Sequence, residues 1–366
     1  MKRKIRTSQN AMLNDAVLMI LGLLLSAALL LPPAPWAAEE RRTIVDQLGR
    51  EVSIPREVDR VVVLMHHALI ISLELGAQDQ IVGVLERWPK YISEGIKKAW
   101  PAIDNVATPG DLRTVNVESV LALDPDLVIV THYAIETVGK QLEAVGVPVV
   151  GISLYSAEYL EASVLNPRLE DPDKAYTEGL KEGVLLLGQI LGKEERARTL
   201  VDHIMENRRL VESRLSDMTR EERVTTYMAY PKLYSMGHGK YAMVIMERSG
   251  GLNVAAELNG YQKVSMEDVL RWNPEVIFTQ DRYRFVAEEI RNDPAWEPVR
   301  AVKTDRIHVS PEYVKPWGHP CPESIGLGEL WMAKKLHPDR FADIDMQTYV
   351  DRFYRTFYGI PYTGGH

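Results

Sequence analysis

The chain has 366 residues, of which 46% are hydrophobic and 26% charged, with a formal net charge of −8. That length suits two ordinary domains with a large core, and the composition is that of a folded globular protein rather than a disordered or fibrous one. The acidic excess excludes a nucleic-acid binder with its basic face, and a single cysteine, Cys321, excludes an intrachain disulfide.

Lys2, Arg3, Lys4 and Arg6 precede an uncharged apolar run of 16 residues, Ala16 to Leu31, and small residues and prolines follow from Pro32 to Ala38. This order predicts a signal peptide over residues 1–38. The run is short for a bilayer crossing, which needs about 20 residues; a retained anchor is the alternative. Without the leader, 39 Lys+Arg face 50 Asp+Glu, a net −11. No cysteine follows the run to carry a lipid, so the expectation is a soluble monomer released into the periplasm.

Short β-branched runs then alternate with helical stretches. Arg60–Met65, Ile81–Glu86, Leu127–His132 and Val147–Ser153 read as strands buried on both faces. Ala68–Leu75 and Lys140–Val145 read as helices closed by Gly76 and Gly146. Alternation of this kind predicts a parallel sheet covered on both sides. Asp173–Leu191 and Lys193–Leu215 form a long helical region, the second with an apolar stripe from Ala197 to Leu215. Beyond it, strands are expected at Val224–Tyr230, Val276–Gln280 and Arg306–Ser310, with helices at Met243–Ser249 and Ser265–Arg271.

One segment occurs twice. Val115–Thr131 (VNVESVLALDPDLVIVT) aligns without gaps on Val264–Gln280 (VSMEDVLRWNPEVIFTQ), with five identities in 17 positions. Each copy reads as a short helix, a Pro-acid turn and a buried strand. This implies two lobes of similar architecture, braced by a helix of about 35 Å at 1.5 Å per residue. The expected division is an N-terminal α/β lobe over residues 39–156, a helical connector with the spanning helix over 157–221, and a C-terminal α/β lobe over 222–366.

The stretches RVVVLMHHALIISLELGAQDQIVGV, VNVESVLALDPDLVIVT, SMGHGKYAMVIMERSGGLNVAAE and VSMEDVLRWNPEVIF together resemble the periplasmic substrate-binding proteins of the iron-siderophore and vitamin B12 class of ABC importers. The resemblance runs from about Arg42 to the C-terminus. The tail LWMAKKLHPDRFADIDMQTYVDRFYRTFYG looks more like a branch that includes molybdate/tungstate binders. The resemblance implies two Rossmann-like lobes joined by a long rigid interdomain helix, with ligand in the cleft between them. It implies a non-catalytic carrier that delivers a metal chelate (ferric siderophore, haem or corrinoid) to an inner-membrane permease dimer. The alternative in the same fold is a molybdate or tungstate carrier; a chelatase-like enzyme is a more distant one. No intrinsic cofactor is implied, and the expected cargo is an iron or cobalt complex.

Ligands of open α/β sheets sit beyond the carboxyl ends of the strands. The candidate ligand-binding residues are therefore His66 and His67 after the first strand, Arg113, Tyr133, Tyr155, Tyr230, His238 in a Gly-His-Gly loop, and Trp317 and His319 in the proline-rich loop PEYVKPWGHPCPE. Where the family shows small hydroxyl residues, this chain has two imidazoles. Being adjacent in an extended chain, only one of them is expected to face the ligand. His66, His67, His238 and His319 would hold metal only if the cargo's metal is coordinated directly. A His319–Cys321 metal clip is the sharper reading of that loop, and a simply buried thiol the blander one. Glu118 and Glu267, early in the two repeated helices, are by resemblance the acids that dock on the two permease subunits. The plainer reading of each is an acid favoured near a helix N-terminus.

Overall fold

The computed structural model describes residues 40–158 and 162–364, so the expected leader lies outside the described residues. The chain divides into Met1–Arg42 and Thr43–His366, and the second unit holds both parallel sheets and the helices around them. Thirteen strands occur among the described residues: β1 (Arg41–Val45), β2 (Glu51–Pro55), β3 (Val61–Val63), β4 (Ile81–Leu85), β5 (Ala107–Gly110), β6 (Leu127–Thr131), β7 (Val149–Ile152), β8 (Val224–Met228), β9 (Tyr234–Met236), β10 (Gly251–Asn253), β11 (Tyr261–Lys263), β12 (Val276–Gln280) and β13 (Ile307–Ser310).

β3 to β7 form a parallel five-stranded sheet in the order β5-β4-β3-β6-β7. A second parallel sheet has the order β10-β8-β12-β13. Every residue of β3, β6, β7 and β12 is buried, which is why these strands are continuous Val/Ile/Leu-rich runs: helices cover both faces. The expected α/β architecture with two parallel sheets is thus observed. The first sheet gains an edge strand, β5, that its sequence (Ala-Thr-Pro-Gly) did not suggest. Two two-stranded sheets, β1–β2 and the antiparallel β9–β11, complete the strand set.

The repeated segment folds alike in both halves. Helices Val117–Leu121 and Met266–Trp272 are capped by Asn116 and Ser265, whose side chains accept from the amides of Ser119 and Asp268. After each comes the Pro-acid turn, and its acid ties the turn to the first strand of its own sheet. Asp126 accepts from the amides of Asp59 and Arg60 at 2.7 and 2.8 Å, just before β3. Glu275 accepts from the amide of Thr225, in β8, at 3.0 Å.

Helices Pro172–Ile190 and Glu194–Leu215 turn back on one another at Gly192, a residue at φ 64°. The expected single strut is therefore a two-helix brace, and both members engage both halves. In the first helix, the Gly179 carbonyl accepts from Gln47 Nε2 at 2.7 Å, and the N-terminal Asp173 pairs with Arg248 of the second half. In the second, Arg196 donates to the Glu74 carbonyl at 2.7 Å, while Arg208 reaches the buried Glu329. The end of the chain also returns to the first half, where the Tyr358 hydroxyl donates to the buried Glu323–Glu74 carboxyl pair.

Gly179 is the closest approach in this brace. A methyl group there would overlap the backbone of Tyr155, at the carboxyl end of β7. Gly179→Ala is expected to push the helix off that loop and to destabilise the protein by at least the 1–3 kcal/mol, roughly, typical of overpacking. A thermal melt that leaves the midpoint unmoved would show that the helix shifts freely.

Candidate functional site

The carboxyl ends of the strands converge on one set of rings. His66 and His67 open the helix His66–Glu74 directly after β3. Tyr91 lies beyond β4, His132 follows β6 and Tyr155 follows β7. From the second half come Arg282 after β12 and Trp317 and His319 after β13. His66 stacks on Tyr91 at 3.8 Å between ring centroids and lies 4.0 Å from His67. His67 meets Trp317 and His319, both at 5.5 Å. His319 is 5.0 Å from His132 and stacks on Tyr155 at 5.7 Å. The Arg282 guanidinium sits over three rings: Trp317 at 5.0 Å, Tyr283 at 5.2 Å and Tyr91 at 5.7 Å.

The polar atoms of this cluster fall into two groups. His132 is satisfied, with Nε2 3.0 Å from the Val164 carbonyl, and the Tyr155 hydroxyl donates at 3.0 Å to the Ala162 carbonyl. In contrast, His66 Nδ1, both His67 nitrogens, His319 Nδ1 and Trp317 Nε1 are buried without a partner among the described residues, although the His319 backbone lies near His67. Buried polar atoms are ordinarily paired, so the concentration of unpartnered nitrogens on four rings, two from each half, makes this cluster the candidate site.

Electrostatics agree. Burial holds His66 and His319 well below the usual imidazole range and pushes His67 down to about 3 and His132 to about 4; neighbouring imidazoles add to this at His66, His67 and His319, Arg282 at His66 and His67, and Lys240 at His132. All four rings are neutral at pH 7, so each brings one N–H donor and one lone pair. Lys240, another buried cation beside the loop, donates to the Leu165 carbonyl at 2.7 Å and is pushed down to about 8 by burial. Met65, at the N-cap of the histidine helix, brings no side-chain acceptor to the first-turn amides, which leaves them suited to an anion.

The loop that carries Trp317 and His319 is held on all sides. The Pro316 carbonyl accepts from Gln280 Nε2 at 2.8 Å and from the Tyr230 hydroxyl at 3.0 Å. The Trp317 and Gly318 carbonyls cap the helix Tyr241–Arg248 by accepting from Ala242 and Tyr241 amides at 2.9 and 3.1 Å. At its root, Lys315 pairs with Glu323; both are almost fully buried.

Several expected site residues lie elsewhere. Tyr230 is buried, and its hydroxyl is engaged by Gln280 and Pro316, so it supports the loop instead of facing the rings. His238 makes no ring contact with the cluster among the described residues; its amide donates at 2.7 Å to the Leu258 carbonyl and closes its own loop. Arg113 is exposed, 5.4 Å from the ring of Tyr133, which itself touches His132 from the rim at 4.9 Å. The expectation that only one of His66 and His67 faces inward is corrected. Residue 66 is already helical, so the two side chains diverge by about 100° rather than 180°, and both rings enter the cluster. No group of three His, Cys, Asp or Glu among the described residues is arranged to hold a metal ion. Cys321 is buried, and its backbone amide donates to Ser324 Oγ at 2.8 Å, the bland alternative to a clip. Sequence reasoning noted Arg282 after the strand that ends at Gln280 without assigning it to the ligand, and missed Tyr91 and His132. His132 was legible in principle, since it is the residue at which β6 runs out.

Two parallel-sheet halves, a stiff brace and a ring cluster fed from the carboxyl ends of both sheets place the candidate site where solutes bind in open α/β sheets. The family model for periplasmic binding proteins matches residues 61–314, and the chain belongs to that family. It is 45% identical over 336 residues to the molybdate-binding protein MolA of Haemophilus influenzae, covering 92% of this chain and 96% of that one. The molybdate-bound structure of that relative superposes with a TM-score of 0.85 at 46% identity, over 88% of this chain and 99% of the other. More distant are a cobalamin-binding protein of Halobacterium salinarum, 24% identical over 78% of this chain and 76% of that one, and a solute-binding protein of Veillonella parvula, with a TM-score of 0.71 at 25% identity over 88% and 94%. Among the described residues no helix is long and apolar enough to cross a membrane.

Proposed function

We propose that this protein is the periplasmic carrier of an ABC importer for a molybdate-class oxyanion, molybdate or tungstate. The observation that carries the reading is the set of orphaned ring nitrogens of His66, His67, Trp317 and His319, two residues from each half. A tetrahedral dianion accepts hydrogen bonds in four directions. Neutral imidazole and indole N–H groups, with Arg282 alongside, supply donors for it. A protein cleft with its donors already oriented gains affinity because little ordering remains to be done on binding. The relation to the molybdate-binding relative supports the same ligand. Of the two cargoes considered, the oxyanion is the better supported and the iron or cobalt chelate recedes: the rings pack within 4–6 Å of one another, which suits a small anion.

His66, His67, Trp317 and His319 are assigned to the ligand, with Tyr155 as a wall and Tyr133 and Arg113 at the rim. Glu118 and Glu267, both exposed, are assigned to docking on the permease, one acid per half, where charge complementarity sets register and encounter rate. The domain division at about residues 156 and 222 and export through the leader complete the reading.

Isothermal titration tests it. Molybdate and tungstate are expected to bind at one site, and a ferric catecholate, haem and cobalamin not to bind. Arg282→Ala is expected to weaken molybdate binding about 10- to 100-fold, the loss of a charge-assisted contact worth about 1.5–3 kcal/mol. Binding of an iron or cobalt chelate with molybdate ignored would return the reading to the chelate class.

A further inference from the structure

The two repeated helices share a feature that neither ligand binding nor helix capping uses. Val120 and Val269 are fully buried, while the next residues, Leu121 and Leu270, are 45% and 40% exposed. These leucines are the same position of the repeat, three residues after Glu118 and Glu267. Residues three apart share a helix face, so each half displays an exposed acid and an exposed leucine side by side. An isolated surface leucine needs no explanation. Two at one repeated position, each beside an outward-facing acid, do. Neither helix is free to roll and bury its leucine, because the valine anchors it below, Asn116 or Ser265 caps its start, and Asp126 or Glu275 ties down the turn that follows it.

We infer that Glu118–Leu121 and Glu267–Leu270 are two composite contact points for the paired subunits of the membrane permease: at each, the acid meets a cation and the leucine enters an apolar socket beside it. This rests on the docking reading given above and adds its apolar half. Two copies of one motif on a single chain fit a partner that itself presents one surface twice. An exposed ion pair alone contributes little affinity, so acids by themselves would set orientation and rate while leaving the complex weak. Burying the leucines supplies the salt-insensitive share.

The test is equilibrium docking of the purified protein on its permease complex in lipid nanodiscs, measured with molybdate present and at low and high salt. Each Leu→Ser change is expected to weaken docking about tenfold and the pair about 100-fold, with molybdate affinity and melting temperature unchanged. The Leu121→Ser/Leu270→Ser protein should also dissociate more readily as salt rises, because only the charges remain. Wild-type docking by that double variant, with docking lost in Glu118→Lys/Glu267→Lys, would overturn the inference and leave the acids standing. If the charge reversals also dock normally, the docking reading itself falls. Sedimentation separates a third case: a leucine-dependent dimer of this chain, with permease docking untouched, would assign the surface to self-association and overturn the proposal.

Discussion

Glu323→Leu is expected to lower the free energy of unfolding by about 3–5 kcal/mol, because it strands the Lys315 ammonium in the interior without its counter-charge. The pair lies 0% and 3% exposed, at the foot of the loop that presents Trp317 and His319. Lys315 adopts a left-handed backbone, φ 39°, a conformation that a non-glycine residue holds only when its surroundings fix it. Glu323 also receives the Tyr358 hydroxyl and faces Glu74, at the far end of the histidine helix, so one carboxylate joins loop, helix and chain end. Denaturant midpoints measure the loss. The double change Lys315→Met/Glu323→Leu should recover most of it, since a buried ion pair replaced whole by apolar side chains is often neutral. A loss below about 1 kcal/mol in the single variant would mean that Lys315 reaches water.

Glu74 supplies the matched control. Burial first, and the Glu323 charge second, push its pKa well above the usual carboxylate range, which favours the protonated form that can donate to Glu323. Glu74→Gln keeps a donor of the same shape. A carboxyl whose folded pKa is raised contributes its full stability below the ordinary carboxylate range and loses it as pH climbs through the folded value. The glutamine variant should therefore match the wild type in acid and gain on it as pH rises.

Much of this architecture was legible because buried parallel strands write themselves as β-branched runs. Leu127–Thr131 and Val276–Gln280 were recovered almost residue for residue, since both faces of each are covered. β5 escaped because an edge strand pairs on one side only and tolerates proline and glycine. Position relative to a strand end picked out His66, His67, Tyr155, Trp317 and His319, which share one ring cluster. It overreached at Tyr230 and His238, whose partners, the Pro316 and Leu258 carbonyls, are set by how distant loops meet. Tyr91 carries no local signal, for the same reason, whereas Arg282 lies just past the end of β12. His66 and His67 show how one residue of phase matters: starting the helix at His66 brings both rings inward.

On the proposed molybdate reading, those two rings, with His319, are expected to make binding proton-linked. In the unliganded protein burial keeps His67 down at about 3, and His66 and His319 well below the imidazole range, so none carries a proton between pH 6 and 8. A dianion placed among them reverses the balance, because an opposite charge within a few ångströms favours the protonated ring. The bound state then holds more protons than the free state, and linkage requires affinity to rise as pH falls. For each proton taken up the gain is about tenfold per pH unit, or about 1.4 kcal/mol, up to the pKa of the bound ring, above which it fades. Titrations between pH 8 and 6, in buffers of different ionisation enthalpy, read the proton number directly. His67→Phe keeps the packing against Trp317 and His319 but carries no proton; it should bind molybdate more weakly and with a flatter pH profile. Equal affinity at pH 6 and pH 8 would mean that the imidazoles serve only as neutral donors, leaving Arg282 and the backbone amides of the histidine helix to balance the charge.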